Sequence, residues 1–406
     1  MLEWEDWLLF AGEGISEGKN FPFLCLKSLS LSKCPKLRGN LPSPLPSLTE
    51  FSISESNQLK VTSSELKWNT SLEAIHIGEG GEDLFSLIDN LSYRELLIEK
   101  CDNLQSLPKM ILNVNYLQIL DLKDISSSIS FRTEGFPTSL KSLQIKNYVN
   151  LEFPSHEIWC KYTSLQTLKI FNSCHSLTSF PLDCYPGLEN LWLWECPSIE
   201  AITIQGGGLA PKLVAFVVRD CKNLMSLSDQ IDLPSLELLW LQWLPKLASF
   251  SPRCCLSSKL HTLRVDIGIL SSMSKHELGL LFQRLSSLSE IQLWGCSREE
   301  DLVNTLLKEL LLPKFLQGLA LSCFRSLKLL EGNGLQHLIS LQRLHIFHCR
   351  SLESLPEDQL PSSLELLHIY KCPLLEARYE DRKQKYFSKI AHILVMEKKD
   401  DDGVII

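Results

Sequence analysis

The chain has 406 residues, 44% of them apolar and 22% charged, with a net charge of −8. That supplies material for a long core and an ordinary soluble surface, and the lack of any Lys/Arg-rich block disfavours a nucleic-acid backbone or an anionic membrane as partner. No apolar run approaches the roughly 18–20 residues a bilayer span needs.

From the start, Trp7–Phe10 sit beside Glu3, Glu5 and Asp6, the wrong charge for a signal peptide. A cytoplasmic protein is expected, so disulfides are not, despite fourteen cysteines. The sequons at Asn69 and Asn90 then carry no weight. Residues 1–23 form a lead-in that makes a poor cap for anything stacked behind it.

From residue 24 the chain repeats itself. Leu26-x-x-Leu29-x-Leu31-x-x-Cys34-x-x-Leu37 returns as Leu188-x-x-Leu191-x-Leu193-x-x-Cys196-x-x-Ile199, and again from Leu341 and from Leu364. Looser copies start at Leu48, Leu72, Tyr93, Leu117, Leu140, Leu165, Leu213, Leu236, Leu260, Leu288 and Leu316, fifteen in all at spacings of 21 to 28 residues. Such a period marks a solenoid. Apolar residues at positions four and six alternate with polar ones, the pattern of a short strand with one buried face. No single repeat buries that face; its neighbours do. The expected fold is an α/β leucine-rich-repeat horseshoe over 24–378, with a parallel sheet inside and irregular turns and a few helices outside. Residues 379–406 are expected to be a C-terminal cap and acidic tail.

Seven cysteines fall at position nine: Cys34, Cys101, Cys196, Cys221, Cys296, Cys349 and Cys372. There they are expected to be buried, reduced and hydrogen-bonded to the turning backbone. No C-x-x-C pair occurs, which argues against zinc. Turns are marked by Leu-Pro or Phe-Pro, as at Leu107-Pro108, Phe180-Pro181 and Leu355-Pro356, and Gly206-Gly207-Gly208 reads as a loop between repeats. The two repeats of 28 residues carry capping boxes, Ser274 to Glu277 and Ser297 to Glu300, each opening an apolar run at helical spacing. The second run ends at Pro313. The convex side is expected to hold α-helices there.

Positions three, five, seven and eight point toward the concave face. In the first six repeats they are small or charged, among them Ser28, Glu50, Ser52, Glu79, Glu95, Glu99, Asp121 and Lys123. From the seventh onward they become Phe171, Trp192, Trp194, Trp240, Trp243, Trp294, His345, Phe347, His368 and Tyr370, which include five of the nine tryptophans. Aromatics suit strands for structural reasons, but Trp and Tyr also dominate binding hot spots, so these ten are the candidate partner-binding residues. His345, His348 and Cys349 are close in sequence, yet Cys349 is at an inward position and His345 at an outward one, so a shared metal is not expected. No P-loop or H-E-x-x-H occurs, and the chain is expected to be neither an enzyme nor a cofactor binder.

The wording of the repeats narrows this further. Leu2-Glu3-Trp4-Glu5-Asp6-Trp7, then Phe21-Pro22, Cys34-Pro35-Lys36-Leu37 and Leu45-Pro46-Ser47-Leu48 stand at one end. Leu335-Gln336-His337-Leu338, Cys372-Pro373-Leu374-Leu375-Glu376 and Lys389-Ile390-Ala391-His392-Ile393 stand at the other. With these residues the chain resembles the C-terminal leucine-rich-repeat region of plant intracellular nucleotide-binding (NLR) disease-resistance proteins of the coiled-coil, RPP13-like class. The resemblance implies a recognition module in innate immunity, whose partner is a pathogen effector, a guarded host protein or the receptor's own nucleotide-binding module, which this module restrains. The coiled coil and the P-loop module of that family are not in the sequence, so a fragment of a longer receptor is expected. The competing reading is an intracellular adaptor or scaffold, such as the substrate receptor of a ubiquitin ligase.

Overall fold

The computed structural model describes residues 23–38, 41, 45–59, 72–81, 85, 91–101, 115–127, 135–152, 156–204, 212–227, 233–247, 256–295, 301–380 and 390–396. They fall into two compact units, Met1–Ile199 with Gln205–Pro211, and Glu200–Ile204 with Lys212–Ile406.

In the first unit eight parallel strands pair in chain order: β1 (Ser28–Ser32), β2 (Glu50–Ser54), β3 (Ala74–Ile77), β4 (Glu95–Glu99), β5 (Ile119–Lys123), β6 (Ser142–Lys146), β7 (Thr167–Phe171) and β8 (Asn190–Trp194). In the second unit eight more do the same: β9 (Ala215–Arg219), β10 (Leu238–Gln242), β11 (Thr262–Asp266), β12 (Glu290–Trp294), β13 (Gly318–Ser322), β14 (Arg343–Phe347), β15 (Leu366–Tyr370) and β16 (Leu394–Met396). Strands β1 to β15 each begin two residues after a repeat start. This is the leucine-rich-repeat fold. Strand β16 arises from the segment that the sequence presents as cap and tail, pairing Leu367 with Leu394.

The register keeps equivalent positions level, so Leu143 meets Leu168 and Ile145 meets Ile170. Positions four and six therefore stack into continuous apolar columns, all four of those side chains buried. Removing such side chains from water contributes roughly 1.5–3 kcal/mol each. Strand β1, with a neighbour on one side only among the described residues, leaves Leu29 half-buried.

What turns the chain off the sheet is residue eight. In twelve repeats it is a non-glycine residue with φ between +44° and +62°, for example Asp124, Asn172, Trp243 and His348. The left-handed region is uphill for such residues. The ladder offsets that cost, because the turned N–H still reaches the carbonyl of residue seven in the next repeat: Asp124 N–H donates to Lys146 at 2.9 Å and His348 N–H to Tyr370 at 2.9 Å. In the first unit the side chains join in, Asn172 Nδ2 donating to Asn147 Oδ1 at 3.1 Å and Asn147 Nδ2 to Asp124 Oδ1 at 2.6 Å.

Away from the strands the two units differ. The first packs an aromatic cluster around buried Trp159, with Tyr162 and Tyr185 ring centroids at 5.2 and 5.5 Å and Phe180 stacked on Tyr185 at 5.4 Å. Beside it Cys160 and Cys184 form a disulfide, which corrects the expectation of reduced thiols throughout. Neither is a position-nine cysteine; the turn after the short helix His156–Trp159 and the 3-10 turn Leu182–Cys184 bring their Cα atoms to 4.3 Å.

The second unit carries helices instead: α1 (Ile267–Ser271), α2 (Lys275–Arg284), α3 (Asp301–Lys308), α4 (Gly332–His337) and α5 (Pro373–Glu380). Helix α2 opens on the Ser274 capping box, in which Ser274 Oγ accepts from Glu277 N–H and Glu277 accepts from Ser274 N–H. The Ser297 box lies outside the described residues, but α3 follows it directly. Among the described residues no helix is long and apolar enough to cross a membrane.

Candidate functional site: the open strand faces

Position nine comes first, because it holds each strand exit in place. Cys34, Cys101, Cys196, Cys221, Cys349 and Cys372 are buried, and Cys296 lies outside the described residues. Each described thiol points back at the carbonyl of its own residue seven, at 3.4 Å for Cys34, Cys221, Cys349 and Cys372. Cys372 Sγ also accepts from the preceding repeat, from Cys349 N–H at 3.3 Å. The hydrogen bond to Cys372 and burial together raise the Cys349 thiol. Ser56 and Ser173 do the same work, Ser173 Oγ donating to Phe171 C=O at 2.7 Å and accepting from Tyr148 N–H at 2.9 Å. Those serines escaped the cysteine pattern; any small side chain with a donor and an acceptor satisfies the site.

The open face of the first unit is polar. A concavity of about 250 Å³ is lined by Glu50, Ser52, His76, Glu95 and Asp121 among others, with no Lys or Arg in its wall. His76 hydrogen-bonds Ser52 at 3.1 Å and lies 3.6 Å from Glu99, while Lys123 pairs with Asp121 at 3.5 Å. Burial lowers the His76 imidazole and raises the Asp121 carboxyl. At the far end of this unit stand three of the candidate aromatics. Phe171 and Trp194 meet edge to face at 5.9 Å, and Lys169 sits 5.6 Å over the Trp192 ring; all three aromatics are half-buried.

The open face of the second unit has a different chemistry. A pocket of about 370 Å³ gathers Trp240, Trp243, Trp294, Phe347 and Tyr370 with Arg219, Arg264 and Lys371. The strands explain the grouping. Arg264 lies level with Trp240, and Trp294, Phe347 and Tyr370 lie in one cross-strand row through Ser322. Arg219 stacks on Trp240 at 4.6 Å and on Trp243 at 5.0 Å, and Arg264 stacks on Trp240 at 4.7 Å. Trp240 Nε1 donates to Gln242 Oε1 at 3.0 Å, fixing the ring. Burial lowers the Arg264 guanidinium, with Glu290 opposing. Glu290 itself is taken by Arg343, two strands away. Its carboxylate passes over Gly318, the residue level with both, where a Cβ would collide with the Glu290 carboxylate.

One expectation needs correcting. Trp294 is on the open side but is not open: it stacks on Trp240 at 6.1 Å, nearly parallel, and is 6% exposed, whereas Trp243 is 47% exposed. Trp243 owes its exposure to its left-handed residue-eight position. His345 and His368 pack edge to face at 5.6 Å on the adjoining strands and do not line the pocket. His345 and Cys349 do diverge, the thiol inward and the ring on the open face with Phe347. Arg219, Arg264 and Lys371 are the residues missed in the sequence; strand-position parity would have found Arg219 and Arg264, and the residue-eight position Lys371, had cations been read beside the aromatics. One acid lies close by. Burial pushes Asp266 up to about 6, although its carboxylate accepts Leu244 N–H at 3.2 Å, the service that position nine performs elsewhere.

No protein-family model matches the chain. It is 28% identical over 308 residues to a candidate disease resistance protein of Arabidopsis thaliana, 68% of this chain and 21% of that protein. It is 34% identical over 102 residues to a candidate disease resistance RPP13-like protein of the same plant, 24% of this chain and 10% of that one. The chain thus spans about a fifth or less of the length of these relatives. Among solved structures, a leucine-rich-repeat protein of Leptospira interrogans aligns with 81% of this chain and 90% of its own, at 18% identity and a TM-score of 0.39. Over the aligned residues the chain is similar to disease-resistance proteins of this plant.

Proposed function

We propose that this chain is a protein-recognition module of plant innate immunity, acting in the cytoplasm, which binds a pathogen effector or a guarded host protein, or restrains an NLR switch module. The observation that carries the reading is the aromatic and cationic pocket on the open face of the second unit. Trp and Arg are the residues most enriched among binding hot spots, and here they are pre-stacked in one concavity. The similarity to disease-resistance proteins supplies the biological setting. Catalysis forms no part of this reading.

The test is a two-hybrid screen of a pathogen effector library with the full chain, followed by measured affinities for each interactor. Trp243→Ala should weaken binding by roughly tenfold or more, as hot-spot aromatics do. Leu280→Ser, an exposed residue of α2 away from the strands, should leave it unchanged. Interactors indifferent to Trp243 and sensitive to Leu280 would place recognition off the strand face and sink the proposal.

A further inference from the structure

Three cations and no carboxylate line the pocket of the second unit, in a chain whose net charge is −8. The guanidinium of Arg264, with five N–H donors, has no hydrogen-bond acceptor and no carboxylate within salt-bridge distance among the described residues; it stacks on the face of Trp240, with Glu290 farther off. Stacking on the indole orients a guanidinium while leaving its N–H edge available, the geometry suited to a planar, bidentate anion. Lys371 adds a third charge beside the Tyr370 ring at 5.1 Å. Of the acids close by, Glu290 is paired with Arg343 and Asp266 accepts the Leu244 N–H.

The apolar part of the pocket is equally specific about size. With Trp294 buried against Trp240, the aromatic surface left to a visitor is chiefly Trp243, Phe347 and Tyr370. The volume of about 370 Å³ is near the low end of the roughly 300–1,000 Å³ of ligand-sized sites, enough for a few side chains rather than a helix.

We propose that this pocket takes an acidic peptide segment of the protein partner, one carboxylate paired with Arg264 and a neighbouring aromatic side chain seated against Trp243 and Tyr370. The inference rests on the recognition reading above and adds the chemistry of what is recognised. It also predicts selectivity between the two strand faces, since the first unit's concavity, lined by Glu50, Glu95 and Asp121, repels the same segment.

The experiment uses the full chain and a short fluorescein-labelled peptide of alternating Glu and Phe, read by fluorescence anisotropy. The controls are the matched Gln-Phe peptide and an oligothymidylate of equal length. The Glu-Phe peptide should bind roughly tenfold or more tighter than the Gln-Phe peptide, the scale of one charge-assisted hydrogen-bonded pair. Arg264→Gln should abolish that preference, Arg264→Lys should keep part of it, and Glu95→Gln should not lower it; circular dichroism of each variant confirms that the repeats remain folded. Equal binding of the two peptides, absence of binding, a preference that survives Arg264→Gln, or displacement by the oligothymidylate at lower concentration than by Glu-Phe would each overturn it. Applied to an interactor from the effector screen, sensitivity to Trp243→Ala without sensitivity to Arg264→Gln removes the acidic-segment inference alone. Indifference to both removes the recognition reading as well.

Discussion

The two units are built on the same strands, the same inward leucines and the same turned residue eight, yet their open faces are chemical opposites. The first presents Glu50, Glu95 and Asp121 around a histidine; the second presents Arg219, Arg264 and Lys371 among tryptophans. The difference teaches that in a repeat fold the inward positions carry the architecture and the outward positions are at liberty to diverge. A side chain at position three or five changes the face without touching the columns behind it.

That comparison can be broken most forcefully at the tryptophans. Trp294→Ala should cost about 3–5 kcal/mol of stability, as truncation of a buried Trp does, whereas Trp243→Ala, nearly half exposed, should cost about 0.5 kcal/mol or less and act on binding instead. Urea unfolding of the two variants checks this, and equal losses would show that the open face is one continuous piece of core.

Next in size is a pH effect peculiar to the second unit. Asp266 is raised to about 6 from the usual 3.8. Its folded pKa exceeds its unfolded one, so between those values the folded state holds the extra proton and stability rises as pH falls from about 6 toward 4. At two pKa units the full excursion is on the order of 3 kcal/mol. Asp266→Asn should flatten that slope relative to wild type in unfolding measurements at pH 4 and pH 7. A slope unchanged by the substitution would mean the carboxyl is ordinary.

A smaller effect tests whether the position-nine service is shared. Ser173→Ala leaves the buried Tyr148 N–H without its acceptor and should cost about 1–3 kcal/mol. Ser173→Cys, which restores the group found at Cys372, should recover most of it. Smallest is the cap of α2: Ser274→Ala should cost about 1 kcal/mol, read by the same unfolding measurements.

How much of this was legible beforehand follows from distance along the chain. The strands were, since the period-two pattern inside each repeat is local and the register between repeats follows from equal spacing. Helices α2 and α3 were announced by four extra residues and a capping signal. The aromatics of the second unit were legible as residues but not as a site. Nothing in sequence says that Trp294 would lie down on Trp240, or that Asp266 would accept the Leu244 N–H where its repeat has Gly268 at position nine. The disulfide of Cys160 with Cys184 was illegible for the same reason, since both lie in irregular segments whose course depends on packing around Trp159.

Repeat identity, strand position and the inward or outward sense of each side chain were decided by the amino acids alone, because they depend on periodicities shorter than one repeat. Which outward residues are truly open, which cations face an aromatic rather than an acid, and which carboxylate is spent over Gly318 were decided only in the folded chain. Those outcomes depend on contacts between residues some 22 to 53 positions apart, from the Leu244–Asp266 hydrogen bond to the Glu290–Arg343 pair, and no local pattern encodes them.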